Sequence, residues 1–151
     1  METLDKEAMV EAREALAKAP MFSGLKKGTL KSLARAAKVR QFGPGELLVE
    51  EGDEAVAFFV LCRGQAEVVK GLGQGKGRVL GNLTEGDFFG EMALFDGFPR
   101  SASVRAVSEC ECVVLARWDL LALIRTSPEV ALGILPVLSR RLRDCEEQLL
   151  P

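Results

Sequence analysis

The stretch FFGEMALFDGFPRSASVR, residues 88–105, gathers the residue types that could hold a small anionic ligand. It opens on a glycine and an acid, Gly90 and Glu91, passes through a short apolar turn and a Gly97-Phe98-Pro99 bend, and closes on Arg100 among small residues. Gly90 allows a backbone to come close to a ligand. Residues 91–95 are long enough for one or two helical turns, whose free N–H groups attract an anion. Arg100 offers a planar fork that binds two phosphate oxygens at once, which the point charge of a lysine does not. Ser101, Ala102 and Ser103 leave the approach open. An ionised Glu91 accepts hydrogen bonds and suits a hydroxyl, such as a sugar's. The same acid and base would equally form an ordinary Glu91–Arg100 ion pair across a turn, and on residue types alone the two readings stand level.

Composition narrows the chemistry. Histidine and tyrosine are both absent. That removes an imidazole base for triad hydrolysis and any His-ligated metal centre of the kind double-sheet metalloenzymes use. The cysteines are Cys62, Cys110, Cys112 and Cys145. Cys110 and Cys112 would share one face of a strand, but no C-x-x-C pair or histidine completes a zinc site. They read as small buried hydrophobes in a reducing compartment. Neither catalysis nor a bound metal is expected. The net charge of −2 gives no general attraction to nucleic acid or anionic membrane. No apolar run approaches the roughly 20 residues of a membrane span, and the acidic start lacks the basic and apolar regions of a signal peptide. A cytoplasmic protein with no membrane or direct nucleic-acid contact is therefore expected.

At 151 residues the chain fits one domain, 1–151, in three parts. Residues 1–37 should supply N-terminal helices. Over 3–18, Leu4, Ala8, Ala12, Ala15 and Leu16 line one side, and Pro20 ends the pattern. Residues 25–40 carry six cations and no acid, with Thr29 as the expected cap of a helix that buries Leu30, Leu33, Ala34 and Ala37. The cations are read as a solvated face, since nothing aromatic interleaves them.

Residues 38–116 predict short strands at 39–42, 46–50, 57–61, 66–70, 78–83, 101–106 and 110–116, separated by glycine turns. The turn Glu-Gly-Asp occurs twice, at 51–53 and 85–87, pointing to two similar hairpins. The glycines at 71, 73, 75 and 77 match neither a Walker loop nor a dinucleotide fingerprint and read as a hairpin loop. Residues 117–150 predict helices. One covers 118–125, and a second is opened by Ser127-Pro128-Glu129 and kinked near Pro136. In the second, Leu138, Leu142, Cys145 and Leu149 form a stripe about two heptads long, fit to pair with a second subunit, to cover a pocket or to dock on the roll.

Residues 88–105 resemble the phosphate-binding cassette of the cyclic nucleotide-binding domain family, whose motif reads approximately F-G-E-[LM]-A-L, a short turn, then P-R-[AST]-A-[ST]-V. Every keyed position from Phe89 to Val104 is filled. PMFSGL at 20–25 and PGELLVEEGDEAVAFFVLCRGQAEV at 44–68 resemble the family's opening segment and first hairpins. The resemblance implies a mainly β fold: a jelly-roll-like β-roll of about eight strands, with N-terminal helices and C-terminal lid or dimer helices. It implies that Arg100 binds the exocyclic oxygens of a cyclic phosphate and Glu91 the ribose 2′-hydroxyl. Backbone N–H groups of Gly90, Met92, Ala93 and Ala102, together with Ser101, would complete the contacts, and Arg141 and Cys145 would face the base.

The ligand implied is cAMP, with cGMP second, bound by a stand-alone regulatory sensor that relays binding through its C-terminal helices to a downstream protein, with a homodimer through the last helix. Ending at Leu150-Pro151, without a helix-turn-helix, the chain is not expected to read DNA directly. The alternatives are a ligand-free interaction module of the same fold and a DNA-binding regulator lacking its helix-turn-helix domain.

Overall fold

The computed structural model describes residues 13–54, 56–75 and 77–149, with the side chains of Pro20 and Ala93 excepted. Eight strands form two four-stranded antiparallel sheets. The first has the order β1 (Lys38–Phe42), β8 (Cys110–Ala116), β3 (Ala57–Arg63), β6 (Phe88–Phe89). The second has the order β2 (Leu47–Val49), β7 (Ser103–Ala106), β4 (Ala66–Lys70), β5 (Arg78–Leu83). The helices are α1 (residues 13–18), α2 (Lys27–Ala36), α3 (Glu91–Asp96), α4 (Arg117–Thr126) and α5 (Glu129–Leu149), with 3-10 turns at Pro20–Phe22 and Leu72–Gln74.

The alternation of side chains along the first sheet divides the core in two. Phe58, Val60, Phe88, Val113 and Leu115 face the helices and meet Leu16, Phe22, Leu33, Leu94, Leu120, Val130 and Ile134. Phe59, Leu61, Phe89, Cys112 and Val114 face the second sheet and meet Leu48, Ala66, Leu83, Val104 and Ala106. Because successive strand residues point to opposite faces, the two residues of β6 serve both cores. Phe88 lies 5.4 Å from the Phe58 ring, and Phe89 stacks on Phe59 at 4.9 Å. Thus β6, too short to show as a periodic pattern, joins the two layers immediately before Gly90.

Several sequence expectations shift at their edges. The strand expected over 101–106 begins at Ser103, and that over 46–50 is confined to Leu47–Val49. Thr29 is not the cap of α2: the helix starts at Lys27, the N-cap is Lys26, and Leu30 N–H already bonds the Lys26 carbonyl at 3.0 Å. Most of the helix expected over 3–18 lies outside the described residues; residues 13–18 are helical. The helix α5 runs through Pro136, which removes one ladder donor without ending the helix. Gly133 is where α5 meets the 3-10 turn at Pro20–Phe22, since a Cβ there would collide with the Met21 carbonyl. Val130 and Ile134 are buried and Leu138 packs against the core, whereas Leu142, Cys145 and Leu149 are exposed. The stripe therefore splits into a docked half and a free half.

Candidate functional site

The chain reaches the site from β6. Gly90 follows Phe89 with φ +87°, a backbone conformation that costs any residue with a Cβ. A Cβ at Gly90 would also lie 2.5 Å from Arg100 Nη1 and 3.3 Å from the Ala57 carbonyl oxygen. This glycine thus makes room for the arginine. Helix α3 follows at once, with Glu91 in its first turn and Leu94 driven into the helix-facing core.

Arg100 is only 6% exposed. Nη1 donates to the Gly90 carbonyl and Nη2 to the Ala57 carbonyl, each at 2.7 Å, and the guanidinium lies 5.9 Å from the Phe59 ring centroid. No carboxylate comes within ion-pair distance of it among the described residues. Burial lowers its affinity for its proton from the ordinary value, and the fields of Glu91 and Asp53 oppose that only in part. A buried cation held by two neutral carbonyls retains unfilled donor capacity, because a guanidinium carries five N–H groups. Its backbone is clasped too: Gly52 N–H donates to the Arg100 carbonyl at 2.9 Å, and Arg100 N–H to the Asp53 carbonyl at 2.8 Å.

Glu91 is buried, 5% exposed, and does not pair with Arg100. Its partner is Arg141, on α5, whose Nη1 lies 3.0 Å from Glu91 Oε1. Arg141 Nη2 also donates to the Phe88 carbonyl at 2.6 Å, and the guanidinium sits 4.3 Å from the Phe88 ring centroid. The ion pair across the turn, weighed from residue types, is therefore not the arrangement adopted. Acid and base stand apart, and the acid is tied instead to the last helix.

The remaining candidates fall as follows. Gly90 and Glu91 adjoin Arg100, and Met92 is exposed on α3, on which Ala93 also lies. Ser101 and Ala102 continue from Arg100 in a bend, and their N–H groups have no acceptor among the described residues. Arg141, expected to face a base, is engaged by Glu91 and the Phe88 carbonyl. Cys145 is exposed, one turn beyond it on α5. Sequence reasoning missed three contributors: the carbonyl of Ala57, the carbonyl of Phe88 and the Gly52–Asp53 clasp. Only the last had a signal, the repeated Glu-Gly-Asp.

Cys62 and Cys112 lie in the sheets, where burial raises their thiols to about 11 and about 12, so they are inert. Among the described residues no group of three or more His, Cys, Asp or Glu is placed to hold a metal. No single helix among them is long and apolar enough to cross a membrane.

This geometry has known counterparts. Residues 39–127 match the family model described as the cyclic nucleotide-binding domain. The cyclic AMP receptor protein of Thermus thermophilus is 35% identical over 130 residues, covering 86% of this chain and 60% of that protein. The solved structure of the catabolite activator protein from the same organism gives a TM-score of 0.76 over 86% of this chain and 61% of the other. A cyclic nucleotide-binding domain from Methylobacillus flagellatus KT, 25% identical, gives a TM-score of 0.80 over 96% of this chain and 84% of the other. A regulatory subunit of a cAMP-independent protein kinase A from Trypanosoma brucei shares the fold at 22% identity, with a TM-score of 0.74 over 89% of this chain and 48% of the other. The chain spans 60% of the Thermus receptor and 30% of a putative potassium channel protein of Rhodopseudomonas palustris that it also matches. With the family model covering more than half of its residues, the chain belongs to the cyclic nucleotide-binding domain family.

Proposed function

We propose that this domain binds a cyclic nucleotide, cAMP ahead of cGMP, and acts as a regulatory sensor rather than as an enzyme. The observation that carries the reading is Arg100: a cation 6% exposed, with no carboxylate partner among the described residues, beside N–H groups of a small-residue bend that find no acceptor among them. Burying an unpaired charge is costly, and a monoanionic phosphodiester matches the charge and the free donors of such a site. Glu91 is the acceptor for a ribose hydroxyl, and Arg141 is the residue of α5 that such a ligand would meet first.

The output runs through the helices. Leu94 is buried with Leu120, Val130 and Ile134, whereas Phe95 is 43% exposed and outside that cluster, so Leu94 is the mechanical link from the cassette to α4 and α5. The Glu91–Arg141 pair adds a polar link to the same helix. A ligand engaging Glu91 changes what holds Arg141 and so biases the position of α5. Leu142 and Leu149, 63% and 84% exposed on its free half, suit a homodimer through that helix in a cytoplasmic setting. A downstream protein would read the change.

Calorimetry with cAMP and cGMP tests the reading. Wild type should bind, and Arg100→Leu should lose on the order of ten- to a hundredfold in affinity, since hydrogen bonds to charged groups contribute about 1.5–3 kcal/mol each. Equal affinity in the two proteins would remove Arg100 from the site. A wild type that binds neither nucleotide would favour the ligand-free interaction module.

A further inference from the structure

Beside the arginine stands a second cation, outside the motif. Lys70 ends β4, and its ammonium donates to the Ser101 carbonyl at 2.6 Å while lying 4.0 Å from Glu51 Oε2. The other Glu51 oxygen accepts Gly71 N–H at 2.9 Å, and Glu51 N–H donates to Ser103 Oγ at 2.9 Å. The bend after Arg100 is thus gripped from two directions, by residues 51–53 and by Lys70. An exposed ion pair such as Lys70–Glu51 contributes little to stability, so the value of the arrangement lies in what it orients.

What it orients is one peptide plane. The Ser101–Ala102 peptide is trans, so its carbonyl and its N–H point in opposite directions in one plane. Fixing the Ser101 oxygen on Lys70 fixes the direction of the Ala102 N–H, which has no acceptor among the described residues. A cation on the carbonyl also polarises the amide and makes its N–H a stronger donor. We propose that Lys70 is a positioning residue for the anionic end of the ligand, holding the 101–102 peptide so that the Ala102 N–H is a ready donor beside Arg100. The proposal rests on the reading of this site as a cyclic nucleotide site, and it adds a residue on β4 to a cassette otherwise confined to residues 88–105. Preorganising a donor lowers the ordering cost of binding.

The test is cAMP calorimetry on wild type, Lys70→Met, Lys70→Arg and Arg100→Leu, with the melting temperature of each unliganded protein. Lys70→Met should weaken binding about tenfold at an unchanged melting temperature, and Lys70→Arg should restore most of it, since a guanidinium can also donate to the Ser101 carbonyl. Lys70→Met binding within about twofold of wild type while Arg100→Leu loses cAMP would overturn the positioning role and leave the site reading intact. A melting temperature that falls in step with affinity, or an arginine that does not rescue, would make Lys70 merely structural. A wild type that binds no cyclic nucleotide would defeat the site reading first and this proposal with it.

Discussion

The two Glu-Gly-Asp turns make the same backbone clasp around opposite kinds of residue. In the first, Gly52 N–H donates to the Arg100 carbonyl at 2.9 Å and Arg100 N–H to the Asp53 carbonyl at 2.8 Å. In the second, Gly86 N–H donates to the Leu61 carbonyl and Leu61 N–H to the Asp87 carbonyl, both at 2.8 Å. The glycines match as well, with φ +91° at Gly52 and +90° at Gly86. The clasped side chains do not. Leu61 is fully buried between the sheets, where it stabilises the fold by ordinary apolar burial. Arg100 is nearly as buried but brings a charge that no carboxylate among the described residues pairs. One clasp secures the core; the other secures a group that the fold alone does not require.

Exchanging the character of the clasped residue should separate the two roles most widely. Leu61→Ala should cost about 2–5 kcal/mol in denaturant unfolding, the range for emptying a buried leucine site, with nucleotide affinity unchanged in whatever protein remains folded. Arg100→Leu should do the reverse. Removing a buried charge that no carboxylate pairs relieves its desolvation cost, which offsets the loss of the donors to the Gly90 and Ala57 carbonyls, so its melting temperature should change little while cAMP affinity collapses. A marked loss of stability in Arg100→Leu would mean that the arginine is structural after all, and the comparison would fail.

A smaller effect is expected from the turns themselves. Gly52→Ala and Gly86→Ala each force an alanine into the left-handed region, at a cost of about 1–2 kcal/mol. A Cβ at Gly52 would meet no other atom within 4 Å, so strain is the whole cost there, and with matching φ values the two losses should be similar by urea titration. Only Gly52→Ala should also weaken cAMP, because only its clasp holds Arg100. Equal affinities in the two variants would show that the first clasp does not control the arginine.

The clasps also show what was legible beforehand. A repeated Glu-Gly-Asp and alternating apolar residues were enough to expect a roll of short strands, since both are local signals with fixed geometry, but the two turns are not the hairpins expected: each carries the chain from one sheet to the other, β2 to β3 and β5 to β6. Gly90, Glu91 and Arg100 were legible because their types are unusual for a short bend. Their partners were not. Arg100 rests on main-chain carbonyls, one of them 43 residues away, and Lys70 on another 31 residues away; a carbonyl has no letter in a sequence. Arg141 stood out on the last helix, but its engagement with Glu91 depends on how α5 docks. That is governed by the close approach at Gly133 and the burial of Val130 and Ile134. Phe88–Phe89 was too short to announce a strand and was held as one by pairing with Phe59 and Val60.

The finest distinction lies in the two aspartates. The Asp87 carboxylate is engaged within its own turn, accepting Thr84 N–H at 2.8 Å. The Asp53 carboxylate accepts no hydrogen bond among the described residues, yet its field reaches Arg100 and offsets part of the charge that an anionic ligand would otherwise meet. Asp53→Asn should therefore tighten cAMP by about two- to threefold at low salt. Because Asp53 is exposed, that gain should fade as the Debye length shortens to about 3 Å near 1 M salt. Asp87→Asn should leave affinity unchanged at every salt concentration and cost only a few tenths of a kcal/mol, since an amide oxygen can still accept Thr84 N–H. A salt-independent gain in Asp53→Asn would point to a change of shape rather than of field. The same gain in both variants would erase the electrostatic difference between the clasps.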